Sequence, residues 1–144
     1  MRARAAVALL LFLPVAGCGG GLSKGELVAE GDKICERVNT EIAKEPEPKD
    51  AAGLERLAKK TVEISDPAIE DMDALEPPGE LEADFAKFVA SLKEQRDLTE
   101  QIGDAAADGD TAEIQEVGAE AQKAQEEYRR LSDKVGFKQC GGGS

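Results

Sequence analysis

Apolar residues recur at steps of three and four positions along four long segments of this chain, and groups of proline, glycine or aspartate separate the segments. Such spacing places the apolar side chains on one face of an α-helix. The most regular segment carries these residues: Ile114, Val117, Ala121, Ala124, Tyr128, Leu131 and Val135. Because no stretch alternates with the period of two that a half-buried strand requires, the sequence predicts an all-α fold.

The segments predict four helices, at about residues 24–44, 50–75, 80–107 and 111–135. Ser23, with Glu26 three residues later, has the spacing of a capping box and marks the first helix start. Proline-containing runs at 45–48 and 76–79 end the first and second helices, and Asp108-Gly109-Asp110 separates the last two. Short connections between long amphipathic helices favour antiparallel neighbours, so we expect an up-down-up-down four-helix bundle.

The run Ser65-Asp66-Pro67 interrupts the second segment. Asp66 as an N-cap, with Pro67 in the first helical position, would suit the start of a new helix. The apolar stripe nevertheless keeps its phase from Ile64 to Ala68. We therefore predict one helix that is kinked near Pro67, rather than two helices.

Composition and charge exclude several classes of function. The net charge is −12, histidine and tryptophan are absent, and the chain has one tyrosine. Nucleic-acid binding needs a basic surface, which an acidic chain does not supply. The absence of histidine excludes histidine-based catalytic triads and c-type haem attachment. We predict a protein that is not an enzyme, holds no cofactor and binds no nucleic acid.

Two acidic groups are the candidates for a metal ion. They comprise Asp108, Asp110, Glu113 and Glu116 in the first group, and Asp66, Glu70, Asp71 and Asp73 in the second. The first group departs from the spacing of an EF-hand loop, and the second is typical of a solvated helix face. No metal site is predicted.

Polar residues interrupt the apolar stripe of the third helix. Gln95 and Thr99 lie on the stripe between Leu92 and Ile102, and Arg96 lies beside them. Helical bundles hold their ligands between helices, so Gln95 and Thr99 are candidate pocket residues. The alternative is that these residues mark a wet or loosely packed layer.

The first 18 residues combine two arginines, an apolar run at 5–15 and small residues before Cys18. The run Val15-Ala16-Gly17-Cys18 resembles the lipobox of bacterial lipoproteins, which signal peptidase II cleaves. A transmembrane helix is disfavoured, because this apolar run would cover only roughly 17 Å of a hydrocarbon core about 30 Å thick. An ordinary secretory signal is the alternative.

The resemblance implies a signal peptide at 1–17, a lipidated Cys18 within a flexible tether at 18–23, a helical domain at 24–140 and a flexible tail at 141–144. Two acyl chains, such as palmitate, anchor a protein stably to a bilayer. Loss of the two arginines of the signal changes the net charge from −12 to −14. We expect the domain to lie on the extracytoplasmic face of the cell membrane, held by its lipid.

With Cys18 occupied by lipid, Cys35 and Cys140 are the cysteines that remain. Outside the cytoplasm such a pair is normally oxidised, so we predict a disulfide between them. Cys35 lies within the first helix and Cys140 beyond the fourth, so residues 137–140 must double back along the first helix. A redox-active pair is disfavoured, because it would have the closer spacing of a Cys-x-x-Cys motif.

Three short motifs resemble a group of uncharacterised, mostly helical bacterial lipoproteins: Lys33-Ile34-Cys35, Leu75-Glu76-Pro77-Pro78 and the run 136–141. The resemblance implies location and a disulfide, and it implies no activity. Because the sequence shows no nucleophile–base pattern, no cofactor motif and no metal set, the first expectation is a protein-interaction or envelope-support module with an envelope protein as partner. The second is a small-molecule or ion-binding lipoprotein whose site lies between helices, at Gln95 and Thr99.

Overall fold

A computed structural model describes residues 21–141 of the chain, and these residues form four helices and no strand. The helices are α1 (Lys24–Ile42), α2 (Ala51–Asp73), α3 (Glu82–Asp108) and α4 (Thr111–Val135). Every end lies within about two residues of its predicted position, which is the usual uncertainty of a helix boundary. The all-α prediction is confirmed. The predictions for the signal peptide, Cys18 and the last three residues lie outside the described part of the chain.

The ends of the helices follow the capping chemistry of the sequence. The hydroxyl of Ser23 accepts a hydrogen bond from the backbone N–H of Glu26, and the Glu26 carboxylate accepts one from the backbone N–H of Ser23. The predicted capping box is thus confirmed. The Asp50 and Asp110 carboxylates cap α2 and α4 by accepting hydrogen bonds from backbone N–H groups of the first turn, without a reciprocal bond. Gly136 ends α4 with a φ of 105°, in the left-handed region that favours glycine.

A single helix, α2, continues through Pro67. The prediction of one helix rather than two is confirmed, and Asp66 does not cap a new helix. Its carboxylate lies 2.8 Å from Nε of Arg96 on α3. The kink near Pro67 and the up-down-up-down order stay predictions from the sequence.

Two clusters of buried side chains hold the helices together. The larger one surrounds Phe88, which is fully buried, and its ring centroid lies 4.9 Å from that of Phe137 and 5.4 Å from that of Tyr128. The smaller one contains Leu98 of α3 and Val117 of α4. The helix α3 packs extensively against both α2 and α4, whereas α1 packs mainly against α2 over a smaller area. Further contacts attach α1 to the rest of the protein.

The segment after α4 supplies these contacts, because it turns back along α1. One carboxylate oxygen of Asp32 accepts hydrogen bonds from the backbone N–H groups of Lys138 and Gln139, each at 2.8 Å. The side-chain amide of Asn39 donates to the backbone carbonyl of Gln139 at 3.0 Å. The doubling back that the sequence predicted is therefore present. This return segment, residues 136–140, ties the end of α4 to the middle of α1.

The predicted cysteine pair lies within this contact. The sulfur atoms of Cys35 and Cys140 are 2.09 Å apart, and their Cα atoms are 5.0 Å apart. Both residues are buried in the larger cluster. The two cysteines thus lie at disulfide-bonding distance, as the sequence predicted.

The residues just before α1 also contact the bundle. The backbone N–H of Leu22 donates to the carbonyl of Glu76 at 2.8 Å, and the Leu22 side chain packs against the larger cluster. Gly21 lies close to the carbonyl oxygens of Glu76 and Pro77. The described end of the predicted tether is therefore attached to the loop between α2 and α3.

Candidate functional site: a cavity between the helices

A half-open cavity of about 240 Å³ lies between the four helices, in the layer where polar residues interrupt the apolar stripe of α3. Aliphatic side chains form one part of its wall: Ile34, Val38, Ile42, Ile69, Met72 and Leu92. Uncharged polar side chains form another part: Asn39, Thr61, Ser65, Gln95, Thr99 and Gln125. The structure therefore places both predicted pocket residues, Gln95 and Thr99, in the wall of one cavity.

Gln95 brings an unsatisfied hydrogen-bond donor to this cavity. Its Nε2 atom is buried and has no hydrogen-bond partner within the described residues. A buried donor that is left unpaired costs about 1–3 kcal/mol, and most buried polar groups in proteins are paired. Because Gln95 lines the cavity, a rotation of its side-chain amide towards the cavity would let an acceptor atom of a ligand satisfy this donor.

Thr99 lies one helical turn beyond Gln95 and lines the same cavity. Its hydroxyl donates to the backbone carbonyl of Gln95 at 2.8 Å. The hydroxyl proton is therefore engaged, and the lone pairs of the oxygen remain able to accept a hydrogen bond.

Arg96 is the charged residue among those that line the cavity. Its guanidinium forms ion pairs with Asp66 at 2.8 Å, with Asp97 at 3.2 Å and with Glu100. The hydrogen bond that Arg96 donates to Asp66 is the largest cause that raises the pKa of Arg96, and the other two carboxylates raise it further. Because three carboxylates surround the guanidinium, it does not offer the cavity a free positive charge.

Tyr128 of α4 also lines the cavity, whereas the sequence predicted it only as a core residue. Its hydroxyl lies 4.0 Å from the sulfur of Cys35, and its ring stacks on Phe88. Burial raises the pKa of Tyr128, and the nearby charge of Asp32 raises it further. The phenol is therefore neutral at ordinary pH. One sign that Tyr128 lines a cavity is present in the sequence: its hydroxyl is a polar group within the apolar stripe of the fourth helix.

We expect the free energy of unfolding to decrease above about pH 10 in the wild type, and to decrease less in Tyr128→Phe. The pKa of the phenol is raised by folding, so its contribution to stability is complete below the unfolded value of about 10 and is lost as pH rises beyond it. Urea unfolding at about pH 8 and about pH 11 measures this difference. Equal losses in the two proteins would show that Tyr128 is accessible to water.

The acidic groups that the sequence singled out lie on the surface. Asp66 pairs with Arg96, and Asp73 pairs with Lys93 at 2.8 Å. Asp110 accepts hydrogen bonds from backbone N–H groups at the start of α4. Within residues 21–141, no three cysteine, aspartate or glutamate side chains are grouped so that they could hold a metal ion.

No protein-family model matches this chain, and neither a curated protein nor a solved structure matches it. The fold and the cavity define its class: a small all-α bundle whose first helix is tied to the end of its last, with a partly polar cavity between the helices. None of the four described helices contains a stretch both long and apolar enough to cross a bilayer.

Proposed function

We propose that this protein is an extracytoplasmic lipoprotein, anchored through Cys18, that binds a small molecule in the cavity between its four helices. The observation that carries the proposal is the buried, unpaired Nε2 of Gln95 beside a cavity of about 240 Å³. Small-molecule sites combine an apolar wall with a few placed polar groups, as this cavity does.

The chemistry of the lining supports binding without catalysis. Tyr128 is a neutral phenol, Arg96 is paired with three acids, and Cys35 and Cys140 lie at bonding distance from each other. The other polar groups are amides and hydroxyls, which bind and orient a ligand rather than transfer protons near neutral pH. We therefore propose a binding protein that is not an enzyme.

One feature supports the extracytoplasmic location, and a second fits a short tether to Cys18. Paired cysteines are typical of oxidising compartments, and Cys35 and Cys140 form such a pair. The contact of Leu22 with Glu76 holds the start of the bundle only four residues after Cys18. The interaction or envelope-support role stays a prediction from the sequence, and we place it second because the unpaired amide favours a ligand.

The test is native mass spectrometry of the mature protein, purified gently from the producing cells. Wild type is compared with Thr61→Phe and Thr40→Phe. Thr61 lines the cavity, so a phenyl group there occupies its space, whereas Thr40 is exposed on α1 and lies outside the lining. We expect the wild type and Thr40→Phe to carry the same additional mass, and Thr61→Phe to lose it while still unfolding cooperatively.

The denatured mass of the same wild-type sample tests the anchor independently. We expect a polypeptide that begins at Cys18 and carries a diacylglyceryl group. A native mass without any addition, or an addition that Thr61→Phe retains, contradicts binding in the cavity. A polypeptide without lipid at Cys18 contradicts the anchor and leaves the binding result unaffected.

A further inference from the structure

The structure assigns a chemical class to the ligand, and this inference rests on the binding function proposed above. We propose an uncharged molecule of about ten non-hydrogen atoms, with an apolar body and a hydrogen-bond acceptor that faces Gln95. The size follows by proportion, because an apolar cavity of about 150 Å³ holds benzene and this one measures about 240 Å³.

The apolar body follows from the aliphatic part of the wall. Side chains from three helices contribute to it, among them Val38 of α1, Ile69 of α2 and Leu92 of α3. Burial of apolar surface against such a wall is favourable by about 25 cal/mol per Å². A small polar molecule, such as a sugar, has too little apolar surface to pack against these aliphatic side chains.

We infer that the ligand carries a hydrogen-bond acceptor from the hydrogen bonds that the polar groups of the cavity make. Gln95 offers an unpaired donor, and the Tyr128 hydroxyl has only a distant sulfur beside it. The hydroxyl proton of Thr99 is already donated to the carbonyl of Gln95. The Gln95 amide therefore stays a donor without a partner, and a carbonyl or ether oxygen of the ligand can accept its hydrogen bond.

The absence of charge follows from electrostatics. The residues that line the cavity include no aspartate, glutamate or lysine, and the one guanidinium, of Arg96, is surrounded by Asp66, Asp97 and Glu100. A cation would lose its hydration without meeting a carboxylate in the wall, and an anion would meet no free positive charge. The net charge of −12 also repels anions.

The test uses 2-octanone, octylammonium and octanoate, which share a chain length and differ in their head groups. Binding to the mature protein in phospholipid nanodiscs is followed by NMR, with empty nanodiscs as the control for partitioning. We expect 2-octanone to bind at least about tenfold more tightly than either ion and to shift the Gln95 side-chain amide resonance.

Two variants identify the group that contacts the acceptor. Gln95→Met is expected to weaken 2-octanone binding about fivefold, the worth of one hydrogen bond, and to raise the melting temperature of the empty protein by about 4 °C. Gln101→Met, at an exposed position of the same helix outside the lining, is expected to do neither.

Each contrary outcome overturns a distinct statement. An ion that binds as tightly as 2-octanone overturns the uncharged class, and unchanged ketone binding by Gln95→Met overturns the role of Gln95. Failure of 2-octanone to bind a protein that carries a cavity-dependent native mass overturns the ligand class alone. Failure of 2-octanone together with the absence of any native mass overturns the proposed function as well.

Discussion

Replacement of Cys140 by serine is expected to lower the free energy of unfolding by about 4–5 kcal/mol, the largest effect that we predict. The pair with Cys35 spans a sequence separation of 105, so a bond between them restricts nearly the whole unfolded domain. The chain-entropy model assigns about 4.7 kcal/mol to a loop of about 100 residues. Urea unfolding of the oxidised wild type and of the variant measures the difference.

The double variant, Cys35→Ser with Cys140→Ser, is the control for this prediction. It should match the single variant closely, and a reductant should destabilise the wild type but neither variant. Because the return segment holds α1 against the bundle, the amide protons of α1 should also exchange faster in both variants. A loss below about 1 kcal/mol would mean that the hydrogen bonds of Asp32 and Asn39 restrain α1 without the sulfur bridge.

Gly31→Ala is expected to lower the free energy of unfolding by about 2 kcal/mol, although alanine favours a helix more than glycine does. A Cβ atom at residue 31 would lie 2.3 Å from Cε1 and 2.7 Å from Cζ of Phe137. The Phe137 ring is 3% exposed and packs between Phe85 and Phe88, so it has little room to move. Overpacking of this kind outweighs the gain of about 1 kcal/mol in helix propensity.

The matched control is Gly118→Ala, the same substitution in the interior of α4. A Cβ atom there would meet nothing within 4 Å, so this variant should gain about 1 kcal/mol. Thermal and urea unfolding of both variants measure the two changes in the free energy of unfolding, which we expect to have opposite signs. If Gly31→Ala instead stabilises the protein as Gly118→Ala does, Phe137 does not pack against α1.

The helices could be predicted from the sequence because the information that specifies them is local. The capping box of Ser23 and Glu26 and the left-handed Gly136 lie within a few residues of the ends they set. Gln95 and Thr99 could be predicted as pocket residues for a related reason, since a polar residue on an apolar stripe is visible in the sequence. Tyr128 could not, because an aromatic residue on the stripe is typical of the core.

The contacts of the return segment could not be predicted in detail, because they join residues far apart in the sequence. Asp32 looks like an ordinary surface acid, yet it accepts hydrogen bonds from residues 106 and 107 positions away. The cavity likewise depends on helix spacing. Gly103 of α3 allows Ala58 of α2 to approach closely, and a Cβ at residue 103 would lie only 2.9 Å from it. Such close approaches are fixed by tertiary packing rather than by helix periodicity.

The hydrogen bond between Leu22 and Glu76 limits how far the cavity can lie from the membrane surface. Leu22 lies four positions after Cys18, and even a fully extended chain over four residue steps spans at most about 14 Å. From Leu22 to Lys24 the chain spans at most about 7 Å, and from Lys24 to Ile34, where the cavity wall begins, α1 rises by about 15 Å. If Cys18 carries the lipid, as we propose, the near end of the cavity stays within about 36 Å of the bilayer surface. A cavity tethered in this way samples only the layer of solution that borders the membrane.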